Sequence, residues 1–263
     1  MIELYTGADF CALDLPEPEW FLTDLIPGDG WTMVAALPKT GKSLFCLQVG
    51  DVIARGQGQV LGFQATAKVP RRVLFIQADC PPKTWQTQMR LICPETPMLI
   101  TLAPEYVLEM PSERLKLMKL IGDAQPHIII WDCLRKLSAC DLNTQEGAQT
   151  AIRRIKGMAK DVPFIMIHHP RKVPPMTSDD IRQMGAGSLY LQADANATVA
   201  LWWDIEKKVG KLARVSRVVR DLVMATDHGP HGEWILGSPP PKPPTGAQYQ
   251  HLASLAGQHV KPS

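Results

Sequence analysis

The sequence lacks an apolar run long enough to cross a bilayer, a paired cysteine motif, an excess of either charge and an internal repeat. Its apolar runs, Val73 to Ile76, Ile128 to Trp131 and Phe164 to Ile167, have the length of strands, against the roughly 20 residues a membrane-spanning helix requires. No membrane partner is therefore expected. The opening residues, Met-Ile-Glu-Leu-Tyr-Thr-Gly-Ala-Asp, carry no basic stretch followed by an apolar core, so no secretory signal is read and a cytoplasmic location is expected. The six cysteines, Cys11, Cys46, Cys80, Cys93, Cys133 and Cys140, include no C-x-x-C pair. Several lie in apolar segments, where a thiol serves as a small core residue, so neither a zinc site nor a disulfide framework is expected. Lys plus Arg total 28 against 26 Asp plus Glu, a formal charge of +2. Contact with a polyanion would have to come from a local patch.

What is present is a globular chain of 263 residues, 45% hydrophobic and 21% charged, able to bury a sizeable core. Strand-like and helix-period segments alternate. Strands are expected at 32–35, 73–78, 98–102, 127–131 and 164–168, with helices at 42–55, 82–92, 112–122 and 144–160 between them. This order predicts parallel βαβ units in a doubly wound α/β sheet. Beyond residue 195, the segments 197–203, 212–220 and 232–236 are strand-like without long intervening helices, and read as antiparallel additions to the sheet edge. The Pro-rich run from Gly237 can continue neither a helix nor an interior strand. The expected organisation is an amino-terminal extension over 1–19, one domain over 20–236, and a linker and weakly structured tail over 237–263.

Residues 36 to 43, Ala-Leu-Pro-Lys-Thr-Gly-Lys-Ser, follow a strand and open a helix. This is the phosphate-loop pattern G-x-x-x-x-G-K-[ST] with Ala36 in place of the first glycine. The spacing lets the backbone N–H groups of Ala36, Leu37, Pro38 (which lacks one), Lys39, Thr40, Gly41, Lys42, Ser43 and Leu44 curl around an ATP phosphate. Lys42 reaches the β- and γ-phosphates and Ser43 serves as a Mg²⁺ ligand. Gly41 allows the backbone to approach closely; Ala36 stands where the first glycine's task is only the turn.

Two further strands end in carboxylates. His127-Ile-Ile-Ile-Trp-Asp132 is the pattern of a strand that holds Mg²⁺ through its terminal Asp132. Val73 to Ala78 is followed by Asp79-Cys-Pro-Pro, which puts a carboxylate in the crevice where α/β sheets bind ligands. It is suited to positioning water, or alternatively to capping the helix after Pro82. A third strand, Phe164-Ile-Met-Ile, ends in His168 and His169.

Together, the phosphate loop, Ala-Asp-Cys-Pro-Pro, Ile-Ile-Trp-Asp-Cys-Leu-Arg-Lys and Ile-His-His-Pro-Arg-Lys resemble the RepA-type hexameric replicative helicases of plasmids and related phage ATPases, in the RecA/DnaB branch of P-loop proteins. The resemblance spans about residues 20 to 236 and implies a RecA-like fold that uses ATP and Mg²⁺. It implies a catalytic base at Asp79, where the family usually has Glu, and γ-phosphate sensing by His168 and His169. It also implies single-stranded DNA contacts from Arg135 and Lys136 in a loop 136–147 and from Arg171, Lys172 and Arg182 in a loop 171–187. Arginine fingers acting on the next subunit would come from Arg217 and Arg220, expected on the strand 212–220. The implied assembly is a homo-oligomer, a hexamer, working beside replication or recombination proteins. The expected activity is a DNA-dependent ATPase of the helicase type; a recombinase or annealing protein and a slowly hydrolysing ATP switch are the alternatives.

Overall fold

Val73 to Ile76, Ile128 to Trp131 and Phe164 to Ile167 are apolar at every position, so both sides of the pleat need cover. The computed structural model describes residues 4–14, 19–67, 69–170, 189–204, 206, 208–217 and 219–237. There, these runs form the middle of a nine-stranded sheet. In chain order its strands are β1 (Trp31–Ala35), β2 (Val73–Gln77), β3 (Leu99–Leu102), β4 (Ile128–Asp132), β5 (Phe164–His168), β6 (Ala197–Asp204), β7 (Val209–Ser216), β8 (Leu222–His228) and β9 (Trp234–Leu236). Across the sheet they run β9-β8-β7-β6-β1-β5-β4-β2-β3. The strands from β3 to β6 are parallel to their neighbours, and β7, β8 and β9 are added antiparallel.

The pleat sorts side chains onto two cores. Val34, Phe75, Ile130 and Ile165 face one layer, which includes Phe45 and Ile53 of α1 (Lys42–Arg55) and Trp85 of α2 (Pro82–Ile92). Met33, Leu74, Ile129 and Met166 face the other, where α3 (Pro111–Ala124) supplies Leu117 and Ile121, α4 (Leu134–Leu137) supplies Leu134 and Leu137, and α5 (Gln145–Ala159) supplies Ile152 and Ile155. A short α6 (Leu189–Asp194) precedes β6. Local chemistry sets the helix ends. Proline opens α2 and α3 at a position whose N–H would have no helical partner. The Thr144 hydroxyl accepts from the Gly147 N–H at 3.1 Å to cap α5.

The architecture is the expected α/β sheet, with corrections toward its carboxyl-terminal half. Strand β6 is parallel to β1, with Val199 opposite Val34, and is not an antiparallel addition. Its residues Ala197 to Leu201 are buried like those of the other central strands. The arginine-bearing strand starts and stops earlier than expected, ending at Ser216, and the following β8 has no counterpart among the expected strands. Strand β8 is mostly half-buried, so it carries neither a continuous apolar run nor a clean alternation. The expected loop 136–147 contracts to 138–144, because Leu134 and Leu137 turn inward as α4 and Thr144 starts α5 early. Residues 4–14 contain one helical turn, Gly7–Cys11, with no buried residue. Among the described residues no helix is long and apolar enough to cross a membrane.

Candidate active site

Strand β1 delivers the chain at Ala35 into a loop whose backbone is left-handed at Lys39 (φ 63°) and Gly41 (φ 89°). Alternating backbone hands turn successive N–H groups toward one point, a concavity suited to anions. Lys42, the first residue of α1, is 4% exposed. Its Nζ donates to the Leu37 carbonyl at 2.8 Å, an oxygen that also accepts from Thr40 Oγ1 at 2.7 Å. Burial lowers the Lys42 pKa to about 8, against the pull of Asp132, Cys133 and Asp79. The loop is backed by β9, where Trp234 Nε1 donates to the Gly41 carbonyl at 3.1 Å. A β-carbon on Gly41 would lie 3.1 Å from that indole nitrogen, so side chains are excluded by space as well as by backbone hand.

Two strands away, Asp132 ends β4 with no exposure, opposite Gln77 of β2. Burial raises its pKa to about 6; the Ser43 hydroxyl and the Gln77 amide work the other way by hydrogen bonding to the carboxylate. Gln77 Nε2 donates to Asp132 Oδ2 at 3.0 Å, while Gln77 Oε1 accepts from the N–H groups of Asp79 at 2.6 Å and Cys80 at 3.0 Å. One amide thereby fixes both carboxylate-bearing strand ends. Asp132 Oδ1 is buried without a hydrogen-bond partner. A buried carboxylate oxygen beside Ser43 and Lys42 fits a metal–phosphate pair, so the residues present suit Mg²⁺ and ATP.

Asp79 follows β2, and His169 follows β5, with His169 Nε2 3.6 Å from Asp79 Oδ2. His169 is the largest influence holding the Asp79 carboxyl below the ordinary carboxylate range. His168 is 4% exposed, ends β5 opposite Ala35, and is lowered to about pKa 4, chiefly by burial. Its Nδ1, like that of His169, has no partner. A cavity of about 670 Å³ opens over these groups and is lined by Pro38, Asp79, Cys133, Arg135, His168 and His169 among others. Lys136 lies on its rim and pairs with Glu105 at 2.6 Å.

The carboxyl ends of β1, β5, β4 and β2 therefore bring together Lys42, Ser43, Asp79, Asp132, His168 and His169. Arg135 and Lys136 lie on α4 at the same cavity, not in a separate loop. Arg217 and Arg220 stand elsewhere, in the turn between β7 and β8. That turn follows Ser216, which pairs with Ala197 at the end of the sheet opposite the phosphate loop. They are not on a strand, because Arg214 in β7 is buried and donates to the carbonyls of Asp24 and Arg220, folding the chain back on itself. Arg217 is exposed and donates to the Ala193 carbonyl. Arg171, Lys172 and Arg182, and the tail from residue 238, lie outside the described residues. Two contributors carry no motif. Gln77 shows only as a polar end to an apolar strand, and Trp234 reaches the loop from 193 residues away.

A parallel sheet with a phosphate loop at its edge and facing carboxylates on neighbouring strands defines a nucleotide-binding ATPase domain of the DnaB/RecA type. The chain belongs to the AAA domain family (AAA_25), which residues 6–175 match. Its fold is similar to a solved helicase ATPase domain, with a TM-score of 0.59 and 13% identity over 80% of this chain and 86% of that one. It is also similar to a DnaB-like replicative helicase described with its interactions with primase, with a TM-score of 0.56 and 15% identity over 80% of this chain. The match spans 57% of that helicase's length. No curated protein matches the chain in sequence.

Proposed function

We propose that this chain is a DNA-dependent ATPase that assembles as a ring, a hexamer, and translocates on single-stranded DNA in the manner of a replicative helicase. The observation that carries the proposal is the meeting of Lys42, Asp79, Asp132 and the two histidines at one end of the sheet, with Arg217 and Arg220 at the opposite end. A chain so built holds a nucleotide with its own residues and offers its arginines only to a neighbour. The likeness in fold to DnaB-like ATPase domains supports the same reading.

In this reading Lys42 and the loop N–H groups bind the β- and γ-phosphates of ATP, and Ser43 and Asp132 hold Mg²⁺. The ion, when bound, neutralises phosphate charge. Asp79 accepts the proton of the attacking water, with His169 keeping it ionised. His168, kept neutral by burial, presents a hydrogen-bonding nitrogen at the end of β5, from which Arg171, Lys172 and Arg182 follow toward DNA. Residues 20–236 form the ATPase unit, with 1–19 as an extension and 237–263 as linker and tail, in a cytoplasmic protein.

The test is ATP turnover with and without single-stranded DNA, together with particle mass. Stimulation by DNA in a hexamer-sized particle is expected. Lys42→Ala should abolish turnover and greatly weaken nucleotide binding, whereas Asp79→Asn should bind Mg²⁺-ATP but not hydrolyse it. DNA-independent turnover by a monomer refutes the motor. Tight ATP binding with almost no wild-type turnover favours the ATP-dependent switch.

A further inference from the structure

Three metal-ligand types of different chemistry converge at the base of the cavity. The Asp79 carboxylate, the Cys133 thiol and the His169 imidazole each offer one atom, and these atoms lie within 4.8 Å of one another. The ATPase reading uses Asp79 and His169 but gives no task to a thiol. The three residues follow β2, β4 and β5 respectively, and the order of those strands in the sheet is what unites them.

The separation of His169 Nε2 from Asp79 Oδ2, 3.6 Å, is long for a hydrogen bond. It is close to the roughly 3.3–3.7 Å between two ligands of one tetrahedral zinc ion, given bonds of about 2.0–2.3 Å. Drawing the sulfur in requires a side-chain displacement on the order of 1 Å. Cys133 is buried, His169 half-buried and Asp79 exposed on the cavity side. Three protein ligands with one open face is the form of an accessible zinc site. Thiolate, imidazole and carboxylate together select zinc-like ions, whereas Ser43 and Asp132, which offer only oxygen, suit Mg²⁺.

We propose that Asp79, Cys133 and His169 form a second divalent-cation site, selective for thiophilic ions such as Zn²⁺ and separate from the Mg²⁺ ligands, and that its occupation arrests ATP hydrolysis by engaging Asp79. On coordination the thiol releases its proton to solvent. The inhibitory half of the proposal rests on the ATPase reading above; the binding half does not.

The experiment titrates the nucleotide-free full chain with Co²⁺ and then displaces it with Zn²⁺. One ion per chain is expected, with a thiolate-to-cobalt charge-transfer band that Zn²⁺ removes. Cys133→Ala should eliminate the band and weaken Co²⁺ binding by about 10-fold or more. His169→Gln should weaken binding similarly. Cys140→Ala, which removes the other thiol lining the cavity, should keep both band and affinity. Absence of the band in the wild type, or its persistence in both Cys133→Ala and His169→Gln, overturns the site. In turnover assays, Zn²⁺ should slow the wild type more strongly than Cys133→Ala. Equal sensitivity overturns the regulatory half. If the chain fails to hydrolyse ATP, the cobalt titration still tests the site independently.

Discussion

His168 is buried at the end of β5, and burial, with smaller contributions from His169, Lys42 and Arg135, lowers its pKa to about 4. An unfolded histidine titrates near 6.5. Between these values the unfolded chain binds a proton that the folded chain refuses, so this residue makes stability fall as pH falls from about 6.5 toward 4. At about pH 5 the loss amounts to roughly 2 kcal/mol. His168→Gln should remove that component, and denaturant unfolding at pH 7.5 and pH 5 should show a smaller difference in the variant than in the wild type. Asp132 acts in the opposite sense. Its folded pKa, raised to about 6, means that the folded chain retains the proton longer, and stability is lost as pH rises through that range. Lys42, lowered to about 8, adds stability as pH rises from there toward its ordinary value. The comparison of wild type with His168→Gln isolates the histidine because the other two groups are common to both.

The elements that matter most to the loop are α1 and β9, which lie at opposite ends of the domain's sequence. Gln48 of α1 and Trp234 of β9 exchange two hydrogen bonds: Trp234 N–H to Gln48 Oε1 at 2.8 Å, and Gln48 Nε2 to the Trp234 carbonyl at 3.2 Å. The Trp234 ring is 1% exposed and meets Phe45 edge-on with centroids 6.4 Å apart. Trp234→Phe keeps most of that packing and loses the indole N–H to Gly41. About 1 kcal/mol of stability and a severalfold loss of nucleotide affinity are expected. Trp234→Ala also leaves a cavity and should cost about 3–5 kcal/mol. Urea unfolding with nucleotide titration separates the two effects; equal nucleotide affinity in wild type and Trp234→Phe would dissociate the last strand from the loop. Strand β8 extends this coupling, since it begins just after Arg220 and ends at His228, stacked on Trp203 at 3.9 Å beside Trp234.

At the scale of the whole molecule, the opposed placement of the phosphate loop and the arginine turn makes each chain complementary to the next. The loop lies at the carboxyl ends of the parallel strands and Arg217 and Arg220 at the other end of the sheet, beyond β7, so no rearrangement short of unfolding the sheet brings them together in one chain. A trans arginine is worth about 10³ to 10⁵ in rate. Lys42→Ala chains and Arg217→Ala, Arg220→Ala double-variant chains should each be inactive alone, and co-assembled mixtures should recover part of the ATPase activity. Mixtures that co-assemble but remain inactive count against the shared site.

The sequence determined what depends on near neighbours in the chain. The phosphate loop was legible because its strand, turn and helix are consecutive, and the central strands because burial on both faces demands unbroken apolar runs. Asp79, Asp132 and the histidines could be placed at strand ends for the same reason, and the sheet then set them side by side. The parallel pairing of β6 with β1 was not legible, since a buried strand reads alike in either direction. The arginines looked like strand residues until Arg214 folded the turn back through carbonyls of Asp24 and Arg220. Gln77 linking two carboxylates, Trp234 behind the loop, and the meeting of Cys133 with Asp79 and His169 were decided by the tertiary structure alone. Each joins residues tens to hundreds of positions apart, and only the order of strands in the folded sheet brings them within hydrogen-bonding or coordinating reach.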